Sequence, residues 1–257
     1  MPRKPSECAA RSGYIDVGYQ NKETKGNNYF TFVVPTFETV AGTTLTLGDL
    51  KLDYDGDDPT GSTLWTLDNG GATQTDYNYV NAAAADLFGC EVGWYLASDV
   101  SDENFEGTSK NGVEIPYGQG FALVTGDSST KGVFAGAVKT TDAYVNTKGG
   151  NLFTFTGNCM PKDYTLGDLA FIYDGDDPTG STLWTLDNGG ATQTDYNYVN
   201  AAAADLFGCE VGWYLASDVS DENFEGTSKN GVSVPAGAGV AAVTGDSTTQ
   251  LFVPKAL

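Results

Sequence analysis

The sequence predicts an all-β protein of two tandem β-sandwich or barrel-like domains, arisen by internal duplication and each carrying one short helix. Three observations predict it. Residues 54–113 return letter for letter as residues 173–232, sixty positions repeated at an offset of 119. The composition is rich in turn formers and aromatics, with 33 Gly and 14 Tyr among 257 residues, as in β proteins with many short strands. Only one stretch per copy, residues 81–89 and 200–208, has helical character.

The likeness continues more weakly outside the identical block. Thr24-Lys25-Gly26-Asn27 answers to Thr147-Lys148-Gly149-Gly150, and Phe30-Thr31-Phe32 to Phe153-Thr154-Phe155. Leu47-Gly48-Asp49-Leu50 matches Leu166-Gly167-Asp168-Leu169, and Val124-Thr125-Gly126-Asp127 matches Val243-Thr244-Gly245-Asp246. Each unit is therefore about 120 residues, enough to bury a core of its own. So long a period argues for two beads rather than a solenoid of short repeats. The expected domains are residues 1–138 and 139–257.

Within one unit the elements follow from local chemistry. Tyr29-Phe30-Thr31-Phe32-Val33-Val34 is β-branched and aromatic and stops at Pro35, which reads as a strand. Residues 43–47 and 50–54 form two more candidates around Gly48-Asp49. Asp55-Gly56-Asp57-Asp58-Pro59 is a dense turn signal, followed by a half-buried strand at 62–67. Asp68-Asn69-Gly70-Gly71 marks a hairpin, because Asn-Gly adopts positive φ at little cost, and 73–80 is its returning strand. Asn81 is an N-cap, four alanines favour helix, and Gly89 ends it. So short a helix needs docking, for which Leu87 and Phe88 are the candidates. Further strands are expected at 91–96, 121–124 and 133–138, and again at 251–253.

The charge is unevenly placed. The chain holds 34 acidic residues, 13 basic ones and no histidine. Each identical copy carries eleven acids and one base, Lys110 or Lys229, so the two account for −20 of the net −21. Such a surface repels nucleic acid and anionic membranes, so neither is an expected partner. Met1-Pro2-Arg3-Lys4-Pro5 is basic with no apolar run behind it, and no stretch approaches the ~20 apolar residues of a membrane span. The missing histidine removes the commonest general base and metal ligand. Two identical segments would also mean two complete active sites. No enzyme is expected.

Three sets of side chains are candidates for chemistry. Asp55, Asp57 and Asp58, with their copies Asp174, Asp176 and Asp177, crowd a tight turn; they either offer hard oxygens to Ca²⁺ or cap a solvated Asx-turn. Trp65, Trp94, Trp184 and Trp213, with Tyr77 and Tyr79, stack on sugar rings if exposed and build the core if buried. Cys8, Cys90, Cys159 and Cys209 allow one disulfide per unit, Cys8–Cys90 and Cys159–Cys209, or remain free buried thiols.

The runs Leu47-Gly48-Asp49-Leu50, Gly93-Trp94-Tyr95-Leu96 and Ile115-Pro116-Tyr117-Gly118-Gln119-Gly120-Phe121, with Gly157-Asn158-Cys159-Met160-Pro161, resemble a pattern found in uncharacterised, secreted, tandem β-repeat proteins of bacteria. That resemblance implies an exported module and carries over no catalytic residue. The expectation is a non-enzymatic structural or adhesive module, extracellular or at a cell surface, without a cofactor. Its partners would be further copies of itself or other surface proteins. Residues 133–138 and 251–253 would add to a neighbour's sheet edge and build a filament or surface layer. The alternative is a calcium-assisted carbohydrate-binding module.

Overall fold

The computed structural model describes residues 17–38, 45–68, 73–101, 105–187, 192–220 and 224–256. The chain is mostly β, 44% strand, and its strands form several small antiparallel sheets. The first repeat begins with β1 (Val17–Glu23), β2 (Phe30–Val33), β3 (Phe37–Glu38), β4 (Leu50–Asp53) and β5 (Ser62–Asp68). It continues with β6 (Thr73–Val80), α1 (Ala82–Phe88), β7 (Gly93–Leu96), β8 (Phe121–Thr125) and β9 (Lys131–Val138). The second begins with β10 (Ala143–Asn146), β11 (Leu152–Gly157), β12 (Tyr164–Thr165), β13 (Ala170–Ile172) and β14 (Ser181–Asp187). It ends with β15 (Thr192–Val199), α2 (Ala201–Phe207), β16 (Gly212–Leu215), β17 (Ser233–Val234), β18 (Gly239–Thr244) and β19 (Gln250–Val253). Among the described residues no helix is long and apolar enough to cross a membrane.

Each repeat has one five-stranded sheet, in the order β2-β8-β5-β6-β7 or β11-β18-β14-β15-β16. Each also has a smaller sheet built around its last strand. In the first, β9 lies between β1 on one side and β3 and β4 on the other; in the second, β19 lies between β10 and β13. Residues 133–138 and 251–253, expected to add to a neighbour's sheet edge, are instead paired on both sides within the chain over most of their length, which leaves little free edge for a neighbour. The hairpin turn at Asn69-Gly70-Gly71 and part of the strand expected at 43–47 lie outside the described residues. The strands flanking that turn do pair antiparallel, Asp68 opposite Thr73.

The outer edge of β7 is also closed. Asn111 Oδ1 accepts from Trp94 N (2.9 Å), Lys110 N donates to Trp94 O (2.7 Å), and the Asn111 amide nitrogen donates to Val92 O (3.2 Å). A side-chain amide thus does the work of a missing neighbouring strand, which leaves little of this edge for aggregation. Asn230 repeats the arrangement against Trp213 on β16.

The core follows the duplication. Trp94 is fully buried, and its Nε1–H donates to Leu50 O (2.7 Å), so one side chain ties β7 of the large sheet to β4 of the small one. Trp213 makes the equivalent bond to Leu169 O (2.8 Å), the residue just before β13. Leu47, Leu50, Leu64, Leu123 and Phe134 pack in the first cluster; Leu166, Leu169, Leu183, Ala242 and Val253 hold the equivalent places in the second. Two residues of the first repeat, Val34 and Tyr117, pack with the second.

The sheets are arranged in a propeller-like way with four blades, not as the pair of sandwich or barrel-like domains expected. The reason is visible at the seam. The ends of β2 and β11 meet the other repeat instead of closing on their own. Val33 bridges to Ala238, Val34 N donates to Gly237 O (3.2 Å), and Gly120 N donates to Phe155 O (2.8 Å). The equivalent rings of Phe32 and Phe155 face each other with centroids 5.0 Å apart. Gly120 and Gly239 are equivalent too. A Cβ on Gly239 would stand 2.5 Å from Phe32 C and Val33 N, and one on Gly120 would stand 2.9 Å from Thr156 N. Only glycine lets the two backbones approach this closely.

Candidate functional site

The identical segments fold into identical surfaces. Asn81 organises the first. Its Oδ1 accepts from Ala84 N (2.9 Å), capping α1, while its amide nitrogen donates to Gly56 O (2.8 Å). The Tyr54 hydroxyl donates to Tyr79 O (2.7 Å) and accepts from Asn81 N (3.4 Å). These bonds pin the acidic turn at Asp55–Asp58 beside the start of α1. Asn200 and Tyr173 repeat the set.

The helix docks differently from expectation. Ala84 and Ala85 are buried, and Phe88 stacks on Phe105 at 5.7 Å, with Tyr95 edge-on to the same ring at 4.6 Å. Leu87 falls off that stripe because successive helical residues turn by about 100°. It is 64% exposed, and Val92 shortly beyond is 44% exposed; Leu206 and Val211 have the same values. Exposed Asp86 and Glu91 stand next to them in sequence, with Asp55, Asp57 and Asp58 on the pinned turn. Each repeat thus exposes apolar side chains that are flanked in sequence by acidic ones. Sequence reasoning assigned Leu87 to the core; its place beside two alanines that fill the docking stripe was the available signal.

The other candidates fall as follows. Asp55, Asp57 and Asp58 and their copies are exposed. Asp58 Oδ1 accepts from Thr60 N (2.8 Å) and Thr60 Oγ1 (2.6 Å), the Asx-turn arrangement, and Asp177 repeats it with Thr179. Among the described residues no group of three or more His, Cys, Asp and Glu side chains is placed to hold a metal ion. Trp94 and Trp213 are fully buried and have no face for a ligand, which corrects that candidacy. Trp65 and Trp184 are half-buried, with Phe30 and Phe153 packed against them at 4.6 and 4.7 Å. Cys159 and Cys209 are free thiols in different packed clusters, so the Cys159–Cys209 bridge is not made. Cys90 is free and packs against α1, and Cys8 lies outside the described residues.

Burial pushes the Tyr54 hydroxyl up to about 12; the Asn81 N–H opposes this, and Tyr79, Asp58 and Asp57 add to it. Tyr173 is pushed up to about 12 in the same way. Between pH ~10 and ~12 these two hydroxyls keep protons in the folded chain that they have lost in the unfolded one. Their contribution is whole below pH ~10 and lost as pH rises toward ~12, on the order of 1–2 kcal/mol per tyrosine after solvent screening. Urea midpoints should therefore drop from pH 9 to pH 11.5. The drop should be smaller in a Tyr54→Phe, Tyr173→Phe variant. An equal drop in both would show that other groups govern it.

The chain matches no protein-family model, no curated protein and no solved structure.

Proposed function

We propose that this is a non-enzymatic adhesive or structural module, acting outside the cell or at its surface, that grips a partner through two copies of one face. The observation that carries the reading is the duplicated exposure of Leu87 and Val92, and of Leu206 and Val211, on segments that account for nearly all the net negative charge. Apolar side chains held in water and flanked in sequence by acidic ones favour a partner of opposite sign. The occupant that fits is a protein surface bearing Lys or Arg around apolar residues. Two identical weak contacts on one chain raise apparent affinity by about 10²–10⁴ when both engage. That gives the exact duplication a physical use.

The test uses an immobilised peptide of alternating lysine and leucine at two surface densities. The intact chain should dissociate far more slowly from the dense surface than from the sparse one. Leu87→Ser or Leu206→Ser alone should remove that difference, and the double variant should lose binding. A Glu-Leu peptide should not bind. Dissociation independent of density, or unchanged in the double variant, would overturn the proposal.

A further inference from the structure

A cavity of about 580 Å³ opens between the repeats. One wall is formed by Leu47, Thr66, Tyr77 and residues 113–117 and 119–121 of the first repeat, the other by residues on β10 and β11 together with Lys148. We infer that this cavity binds a short neutral saccharide, one per chain, at a site that neither repeat makes alone.

Size, lining and charge point the same way. The volume lies within the range of small-ligand sites. Tyr144 lines the cavity while 55% exposed, so its ring stands at the mouth, supported by Phe252 at 5.3 Å between centroids. Such a ring offers an apolar face to the C–H side of a pyranose. Asn146 and Gln119 line the same space and carry amides suited to hydroxyl groups. Gln250 Nε2 donates to Asn146 Oδ1, which orients that amide. The charged residues lining the cavity are Glu114 and Lys148, of opposite sign, within a chain of net −21. An anionic ligand meets repulsion from the whole molecule, and a purely apolar one would leave the polar groups unpaired.

The duplication supplies an internal comparison. The other seam has longer side chains in the equivalent places. Where β10 has Ala143 and Val145, β1 has Gln20 and Lys22. Gln20 Oε1 accepts from Thr36 N and Thr36 Oγ1, both at 2.9 Å, and a Cβ on Gly237 would run into Gln20 Nε2. Lys22 is half-buried there, and burial pulls its ammonium below its ordinary value, with Asp163 opposing. Tyr117-Gly118-Gln119 on the open side stands where the second repeat has Ala236-Gly237-Ala238. Short β10 residues thus leave the space, and the 116–120 turn furnishes it with Tyr117 and Gln119.

Calorimetry of the intact chain with cellotriose, maltotriose, xylotriose and mannotriose tests this. Saturable one-to-one binding of at least one of the four is expected. Tyr144→Ala, at an exposed position, should weaken it by about tenfold. Val145→Lys should abolish it by filling the cavity as Lys22 fills the other seam, with a thermal melt reporting that the variant is folded. Leu87→Ser should leave it unchanged. The inference is overturned if no trisaccharide binds, or if binding survives Tyr144→Ala at full strength. It is equally overturned if a neutral amphipathic tripeptide binds where the sugars do not.

Discussion

Replacing Trp94 by alanine is expected to lower the stability of the first repeat by about 3–5 kcal/mol. Three terms act together. The largest buried side chain of the cluster is lost, a cavity remains, and Leu50 O is left without its indole donor. The loss also uncouples the two sheets, because the indole is the polar link between β7 and β4. A domain of this size has only about 5–15 kcal/mol to lose. The variant therefore also measures how far the repeats are separate. If residues 1–138 and 139–257 unfold as units, Trp94→Ala should split the calorimetric transition. One part should move down by many degrees while the other stays close to the wild-type position. Trp213→Ala should give the mirror image. A single transition moved equally by either variant would mean that the four-bladed array melts as one body and that the boundary near Lys139 has no energetic meaning.

What could be read from the sequence was what short-range chemistry decides. Asn81 capping four alanines that end at Gly89 fixes α1 to the residue, because cap, propensity and left-handed C-terminus are all local. The strands at 62–68 and 73–80 follow from alternation around an Asn-Gly turn, and Tyr77 and Tyr79 do share the buried face. Long-range pairing was not legible in the same way. That β9 and β19 end the repeats in sequence yet lie at the centre of their sheets depends on β1 and β10, which pair with them from about a hundred residues away. The tryptophans show a similar limit. Trp65 and Trp94 look alike as letters, but only the register that places Trp94 beneath Leu50 buries it completely. The seam was hidden for another reason. Nothing local to Gly120 and Gly239 signals that their lack of a side chain serves a backbone in the other half of the chain.

The second large effect is expected at those glycines. Gly239→Val would place its Cβ 2.5 Å from Phe32 C and Val33 N, and the obstacles are main-chain atoms that no rotamer change can move. Gly120→Val meets Thr156 N at 2.9 Å on the symmetric side. Overpacking of this kind costs typically 1–3 kcal/mol, more where the backbone must shift. Here the cheapest relief is for the repeats to part. That breaks the Val33–Ala238 bridge, the Val34–Gly237 bond and the Phe32–Phe155 contact together. The double variant should show a larger radius of gyration by X-ray scattering and faster proteolysis between residues 139 and 142, with both repeats still giving native near-ultraviolet dichroism. Gly61→Ala is the control, since nothing lies within 4 Å of its Cβ position. The saccharide cavity should disappear with the seam, because its walls belong to different repeats, whereas density-dependent binding through Leu87 and Leu206 should persist at altered spacing. If the double variant keeps both the compact radius and the wild-type melting point, the close approach of the two backbones at these glycines is not what holds the halves together.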